Sequence, residues 1–243
     1  MQHLLRRKII YIALLLACPV MGFSQLFQEL NQQEFDQKIL HFGINVGFNQ
    51  SHFNFTHHDQ FLTQDSVMDI ESINSTGINL AWLVNYKISD HFDFRTYPLD
   101  LTFSERAFQY ALKYPDAIND ETPITTKKVQ SIALSLPVTI KFTSDRIGNL
   151  KVYTIAGARL DYDLAASASS DRNVDAIIKL NKFGYGLEGG IGFHLYFPYF
   201  VLSPELKFDW GLANLHNRNA NNKYSNNIDK IYARMVSFSL TIE

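Results

Sequence analysis

From Phe183 the chain alternates: Phe183, Tyr185, Leu187, Gly189, Ile191, Phe193, Leu195 and Phe197 fall on one phase, and Gly184, Gly186, Glu188, Gly190, Gly192, His194 and Tyr196 on the other. After the Pro198-Tyr199 corner the same period resumes. Phe200, Leu202, Pro204, Leu206, Phe208, Trp210 and Leu212 oppose Val201, Ser203, Glu205, Lys207, Asp209 and Gly211. A period of two means strand, because successive strand side chains point to opposite faces. Strands of soluble proteins usually run about 5 or 6 residues. These are about twice that, the length of a tilted membrane-crossing strand of roughly 9 to 11 residues.

The same pattern predicts six more strands. They run from about Leu40 to Asn49, Gly77 to Lys87, Phe92 to Phe103, Ile132 to Phe142, Val152 to Tyr162 and Val236 to Ile242. In the third, Phe92 and Phe94 begin one phase while Tyr97, Leu99, Leu101 and Phe103 follow the other, so a bulge is expected beside Pro98. Long polar connections are expected at about 50–75, 104–127, 163–179 and 213–229, with short turns at 89–91, 143–149 and 198–199. Eight strands joined alternately by long and short connections predict an all-β fold, an eight-stranded antiparallel transmembrane β-barrel with four long external loops and short periplasmic turns.

The composition of the two faces decides which points outward. The polar face is mostly Gly, Ala, Ser and Asn with isolated charges of both signs, a poor solvent surface but a suitable filling for a narrow barrel. Turning it outward would put Glu205, Lys207 and Asp209 into hydrocarbon, at up to roughly 2 to 4 kcal/mol each near the midplane. A soluble barrel with the greasy face inside is the weaker reading. Aromatic residues make up 14% of the chain. Tyr86, Phe92, Phe197, Tyr199 and Phe200 gather at one expected rim, and Phe103, Tyr162, Phe183 and Tyr185 at the other, as interface girdles.

The N-terminus carries Arg6, Arg7 and Lys8, an apolar run from Ile9 to Ala17, and Gly22-Phe23-Ser24. That reads as a secretory signal over 1–24, cleaved after Ser24. The rival is a lipoprotein signal with Cys18, the one cysteine, acylated. Residues 25–39 are read as a polar periplasmic lead-in of one or two helical turns, and 40–243 as the outer-membrane barrel. Losing the leader takes the net charge from −2 to about −5, which leaves no basic stripe for nucleic acid.

Candidate chemistry is sparse. His52, His57 and His58 lie near Asp59 and Asp65 in the first external loop, and a solvated polar loop is favoured over a metal site. The inward charges carry more weight: Arg95, Lys141, Arg159, Asp161, Glu188, Glu205, Lys207 and Asp209 are expected to form a structural polar network that plugs the lumen, since unpaired buried charge is expensive. A hydrophilic pore is the alternative. His194 also faces the lumen and is read as hydrogen-bonded packing. No catalytic residue, metal, cofactor or small-molecule substrate is expected, and the partners expected from the pattern are outer-membrane lipids.

Several of these stretches resemble a known family. Phe94-Arg95-Thr96-Tyr97-Pro98, Leu101-Thr102-Phe103-Ser104-Glu105-Arg106, Tyr162-Asp163-Leu164-Ala165, Phe197-Pro198-Tyr199-Phe200 and Leu202-Ser203-Pro204-Glu205-Leu206-Lys207-Phe208 are similar to the PorT family of Bacteroidetes outer-membrane proteins. The similarity runs from about Phe42 onward, and no single motif is diagnostic. The resemblance implies a non-enzymatic part in the type IX protein secretion system, with other secretion proteins as partners and, in gliding species, a role in motility. It brings no catalytic residues with it. A small lipid-modifying outer-membrane enzyme and a narrow channel remain the alternatives.

Overall fold

The computed structural model describes residues 30–62, 66–115, 121–165, 178–219 and 222–243. The signal-peptide and Cys18 expectations, and Asp65, lie outside them. Among the described residues nine antiparallel strands follow in order: β1 Leu40–His57, β2 Val67–Ile73, β3 Ser75–Lys87, β4 Phe92–Leu112, β5 Ile124–Thr143, β6 Leu150–Asp163, β7 Phe183–Tyr196, β8 Val201–Gly211 and β9 Ile228–Ile242. Neighbours run β4-β3-β1-β9-β8-β7-β6-β5, and β4 pairs back onto β5, closing an eight-stranded barrel. Strand β2 continues the line of β3 past Asn74 and pairs with the far half of β4. Within the lipid-facing part, closure leaves no free sheet edge around the ring, which is the condition for a sheet to cross hydrocarbon.

Both ends of the barrel chain, Leu40 and Ile242, lie at the end that carries the three short turns. The outward face is apolar over a broad band, with Phe42, Ile44, Val46, Phe48, Trp82, Leu187, Phe238 and Leu240 all exposed. Exposed apolar patches on soluble monomers rarely exceed a few hundred Å². A band that circles the whole barrel is a lipid-facing surface.

Several strands outrun the expectation. β1 has 18 residues, β4 has 21 and β5 has 20, against roughly 9 to 11 for a crossing. Stretches read as loops at 50–57, 67–73, 104–112 and 124–127 are strand instead. The physical reason is a swap of polarity along an unbroken backbone phase. On β1 the inward residues His41, Gly43, Asn45, Gly47 and Asn49 give way to Phe53 and Phe55, while the outward ones change from Phe48 to Gln50, Asn54 and Thr56. β4 does the same, Phe108, Tyr110 and Leu112 succeeding Thr102 and Ser104 inside. Past the band these walls enclose an apolar core of Phe53, Val67, Ile70, Phe108, Tyr110, Val129, Ile178, Tyr224, Ile228 and Ile231, with the rings of Phe53 and Phe108 stacked at 5.2 Å. One tube is inside-polar where it meets lipid and inside-apolar where it meets water.

The irregularity beside Pro98 is a register shift between Thr96 and Asp100 against β5, matched by one between Trp82 and Val84 against β4. Pro98 and Leu99 both face outward, so Asp93, Arg95 and Tyr97 point inward on one side of it and Asp100, Thr102 and Ser104 on the other. Tyr97 therefore corrects the sequence reading: it is fully buried in the lumen rather than on the outer face. Its phase belongs to Arg95, and the slip occurs after it.

Candidate functional site

The charges sit on one side of the lumen, on β4 through β8. The walls of β1, β3 and β9 carry amides and hydroxyls, where Asn45 donates to Ser239 and Thr241, and Asn49 to Asn79. At the centre the Arg95 Nη1 lies 2.7 Å from Glu205 Oε2, both side chains fully buried. Tyr153 donates to the same carboxylate oxygen at 2.7 Å and Tyr97 to the other at 3.4 Å. The Arg95 guanidinium also lies 5.0 Å from the Tyr153 ring centre, and the Lys207 ammonium 4.7 Å from that of Tyr97. Lys207 stands between Glu205 and Glu188, 3.9 Å from each. Toward the short-turn end Lys141 pairs with Asp93 at 2.6 Å and lies 3.3 Å from His194 Nε2, whose Nδ1 shares a hydrogen bond with Ser203 at 2.7 Å. Glu243 reaches within 3.8 Å of Arg95. Toward the other end Arg159 pairs with Asp209 at 2.9 Å and Asp161 at 2.8 Å. This arrangement holds charges against one another across the axis; it presents no nucleophile and base in an open cleft.

Glycine makes room for it. A Cβ on Gly192 would lie 2.4 Å from the Tyr153 ring, inside any tolerable contact, so Gly192→Val pushes Tyr153 off Glu205. Overpacking of this kind costs about 1 to 3 kcal/mol. Urea unfolding of the barrel in lipid vesicles reads that loss, and Gly189→Val, whose nearest foreign atom would be 3.6 Å away, should cost less.

The lead-in closes the short-turn end. Phe35–Gln37 form a single 3-10 turn. Phe35 packs its ring on His41 and Tyr196, with centroids 4.3 and 5.9 Å away. The Asp36 carboxylate accepts from Lys151 at 2.9 Å, Tyr196 at 2.7 Å and Arg146 at 3.3 Å, while its carbonyl accepts from Lys87 at 2.9 Å. Arg146 also donates to the Asn31 carbonyl and lies over the Tyr196 ring at 3.7 Å. Beneath this strap a cavity of about 30 Å³ is bounded by Phe35, His41, Lys141, His194 and Glu243, room for a water or so.

Burial pushes the Asp36 carboxyl up, but hydrogen bonds from Lys151, Tyr196 and Arg146 and the charge of Lys151 outweigh it and hold the group below the usual carboxylate range. A depressed pKa contributes stability that is fully present above the unfolded value and is lost as pH falls through the folded one. Hydrogen exchange of residues 30–38 is therefore expected to stay slow from neutral pH down to the ordinary carboxylate pKa of about 3.9, and, after correction for intrinsic rates, to rise only below it. Asp36→Asn should remove the pH dependence. Wild-type protection that stayed flat to pH 2 would leave the strap held by something else.

The profile of the outer membrane protein beta-barrel domain matches residues 23–217. The chain belongs to that family of outer-membrane barrels. No curated protein matches the sequence significantly. Among solved structures the barrel is similar to Neisserial surface protein A (10% identity, 84% of this chain and 99% of that one, TM-score 0.43) and to OprG from Pseudomonas aeruginosa (12%, 82% and 94%, 0.45). It is also similar to Ail, the attachment invasion locus protein of Yersinia pestis (13%, 83% and 96%, 0.36). In an outer-membrane barrel the short-turn end is periplasmic and the long-connection end external. The strap is thus a periplasmic cap, and the apolar core beyond the band projects outside the cell.

The structure places all eight sequence-predicted lumen residues inward. Arg95, Glu205, Lys207 and Glu188 meet at the centre, Arg159, Asp161 and Asp209 form a separate group above, and Lys141 pairs below with Asp93, which was not among them. Tyr97, Tyr153, Asp93, Glu243 and Asp36 complete these clusters without having been singled out. Tyr153 carried a usable signal, its inward parity on β6. Asp36 carried none, since no periodicity runs through the lead-in. Of His52, His57 and His58, His57 stacks on Phe61 at 4.3 Å; among the described residues no three His, Cys, Asp or Glu come together to hold a metal ion.

Proposed function

We propose that this outer-membrane barrel is a non-enzymatic component or assembly factor of the type IX protein secretion system, exported on the 1–24 signal. It works through its surfaces, the external strand extensions and the periplasmic face, and contacts other secretion proteins there. The observation that carries the reading is the Arg95–Glu205 pair at the barrel centre. Its two members come from Phe94–Pro98 and Leu202–Phe208, the stretches that resemble the PorT family. A third, Phe197–Phe200, receives the lead-in through a hydrogen bond from Gln32 to the Pro198 carbonyl at 3.0 Å. The resemblance thus falls on the residues that fill and cap the tube, and a filled tube favours an adaptor over a conduit.

The test is a deletion strain scored for secretion of cargo bearing a C-terminal sorting domain. Loss of extracellular cargo with its accumulation in the periplasm, restored by the wild-type gene, is the expected result. Normal export in the deletion strain removes the proposal.

A further inference from the structure

Strand β9 carries a cation, Arg234, to the upper edge of the lipid-facing band without a carboxylate partner among the described residues. Register sets His52 of β1 beside Arg234 of β9, and Arg234 beside Trp210 of β8. All three point outward, because the inward positions next to them are Ser51, Phe53, Met235 and Asp209. Lys230, exposed and paired in register with Thr56, lies further up β9. Directly below Arg234 the outward face is apolar: Val236, Phe238 and Leu240 on β9, and Phe208 on β8.

The Arg234 Nη1 donates to the carbonyls of Gly211 at 2.6 Å and Ala233 at 3.2 Å. Its hydrogen-bond partners are thus carbonyls, and among the described residues it makes no ion pair with a carboxylate. Glu105, across the barrel at this edge, is different. It follows the outward Phe103 on β4 and is held by Lys128 at 2.8 Å. A charge left uncompensated beside hydrocarbon is costly unless something neutralises it. Guanidinium is weakly hydrated and matches phosphate oxygens with paired N–H donors. The two carbonyls fix Nη1 and leave the remaining donors for a ligand. Trp210 adds the amphipathic ring that settles at headgroup level.

We propose that Arg234, with His52 beside it and Lys230 further up the strand, binds the phosphate of a phosphorylated lipid in the outward-facing leaflet, whose acyl chains lie along Val236, Phe238 and Phe208. This rests on the lipid-facing orientation of the barrel and is independent of the secretion role.

The full chain in zwitterionic detergent, mixed with diphosphoryl lipid A and read by native mass spectrometry, tests it. Wild type should retain the lipid, and dephosphorylated lipid A should be retained about tenfold less, the loss of one strong contact. The double variant Arg234→Gln/Lys230→Gln should show a similar loss while keeping the heat-dependent gel mobility of a folded barrel. Lys128→Gln, on the other side, should bind as wild type. Raising salt from about 0.1 to 1 M should weaken wild-type retention, since screening tightens from about 10 to 3 Å; this reading needs no variant. Inorganic phosphate at the lipid's concentration should not displace it. Equal retention of the dephosphorylated lipid, or by the double variant, overturns the site, as does a Lys128→Gln loss of the same size. Displacement by inorganic phosphate overturns the lipid as its ligand. A chain that stayed in solution without detergent would instead overturn the lipid-facing orientation itself.

Discussion

Glu205→Ala is expected to destabilise the folded barrel by about 3 to 5 kcal/mol, the cost of removing one partner of a buried ion pair and leaving the other charge unmatched. The residue accepts from Arg95, Tyr153 and Tyr97 and stands 3.9 Å from Lys207. Its loss strands a guanidinium whose next carboxylate, Glu243, is 3.8 Å away. The urea unfolding midpoint in lipid vesicles measures it. The companion variant Arg95→Met/Glu205→Leu removes both charges, and replacing a buried pair by apolar groups of similar volume is often near neutral. The double variant should therefore cost less than Glu205→Ala alone. It will not be free, because Tyr153 and Tyr97 lose their acceptor. A double variant as costly as the two single changes added together would mean that Arg95 and Glu205 do not act as a pair.

How far the chain could be read in advance follows from where its pattern is unambiguous. Within the band, alternation has one meaning: Leu40 to Asn49 and Phe183 to Leu212 read as lipid-crossing strands because each keeps the same residues on the same face. The eight lumen charges followed from parity alone. Above the band the period of two continues but the hydrophobic phase inverts, as at Gln50 to Phe55 and Glu105 to Leu112. A reading tuned to apolar-out sees such stretches as polar loops, since their outward residues are Gln, Asn, Thr and Glu. Tyr97 failed for a local reason. Two outward residues in succession, Pro98 and Leu99, absorb the slip, and sequence alone does not say on which side of a bulge the phase changes. The periplasmic cap escaped altogether. Asp36 gains its meaning from Lys151, Arg146 and Tyr196, which are far along the chain and converge only when β6 and β7 close the ring.

The polarity swap along β1 also sets the second large effect. Ile44→Arg is expected to cost about 2 to 4 kcal/mol, the penalty for a cation on the lipid face near the midplane. Ile44 is 60% exposed and is the middle member of the outward row Leu40, Phe42, Ile44, Val46 and Phe48. Thr56→Arg, on the same strand and the same outward parity, should cost less than about 1 kcal/mol, most of it repulsion from Lys230 directly across on β9. Both substitutions add one identical side chain to one exposed strand face, so intrinsic propensity largely cancels between them. What differs is the medium outside. Reversible urea unfolding in vesicles of one lipid gives both numbers. Equal costs at the two positions would place the edge of the bilayer elsewhere than between Phe48 and Gln50. With that edge moved, the apolar core around Phe53 and Phe108 could no longer be the part of the tube that stands in water, and Arg234, paired with His52 across β1 and β9, would no longer sit at the depth of a lipid headgroup.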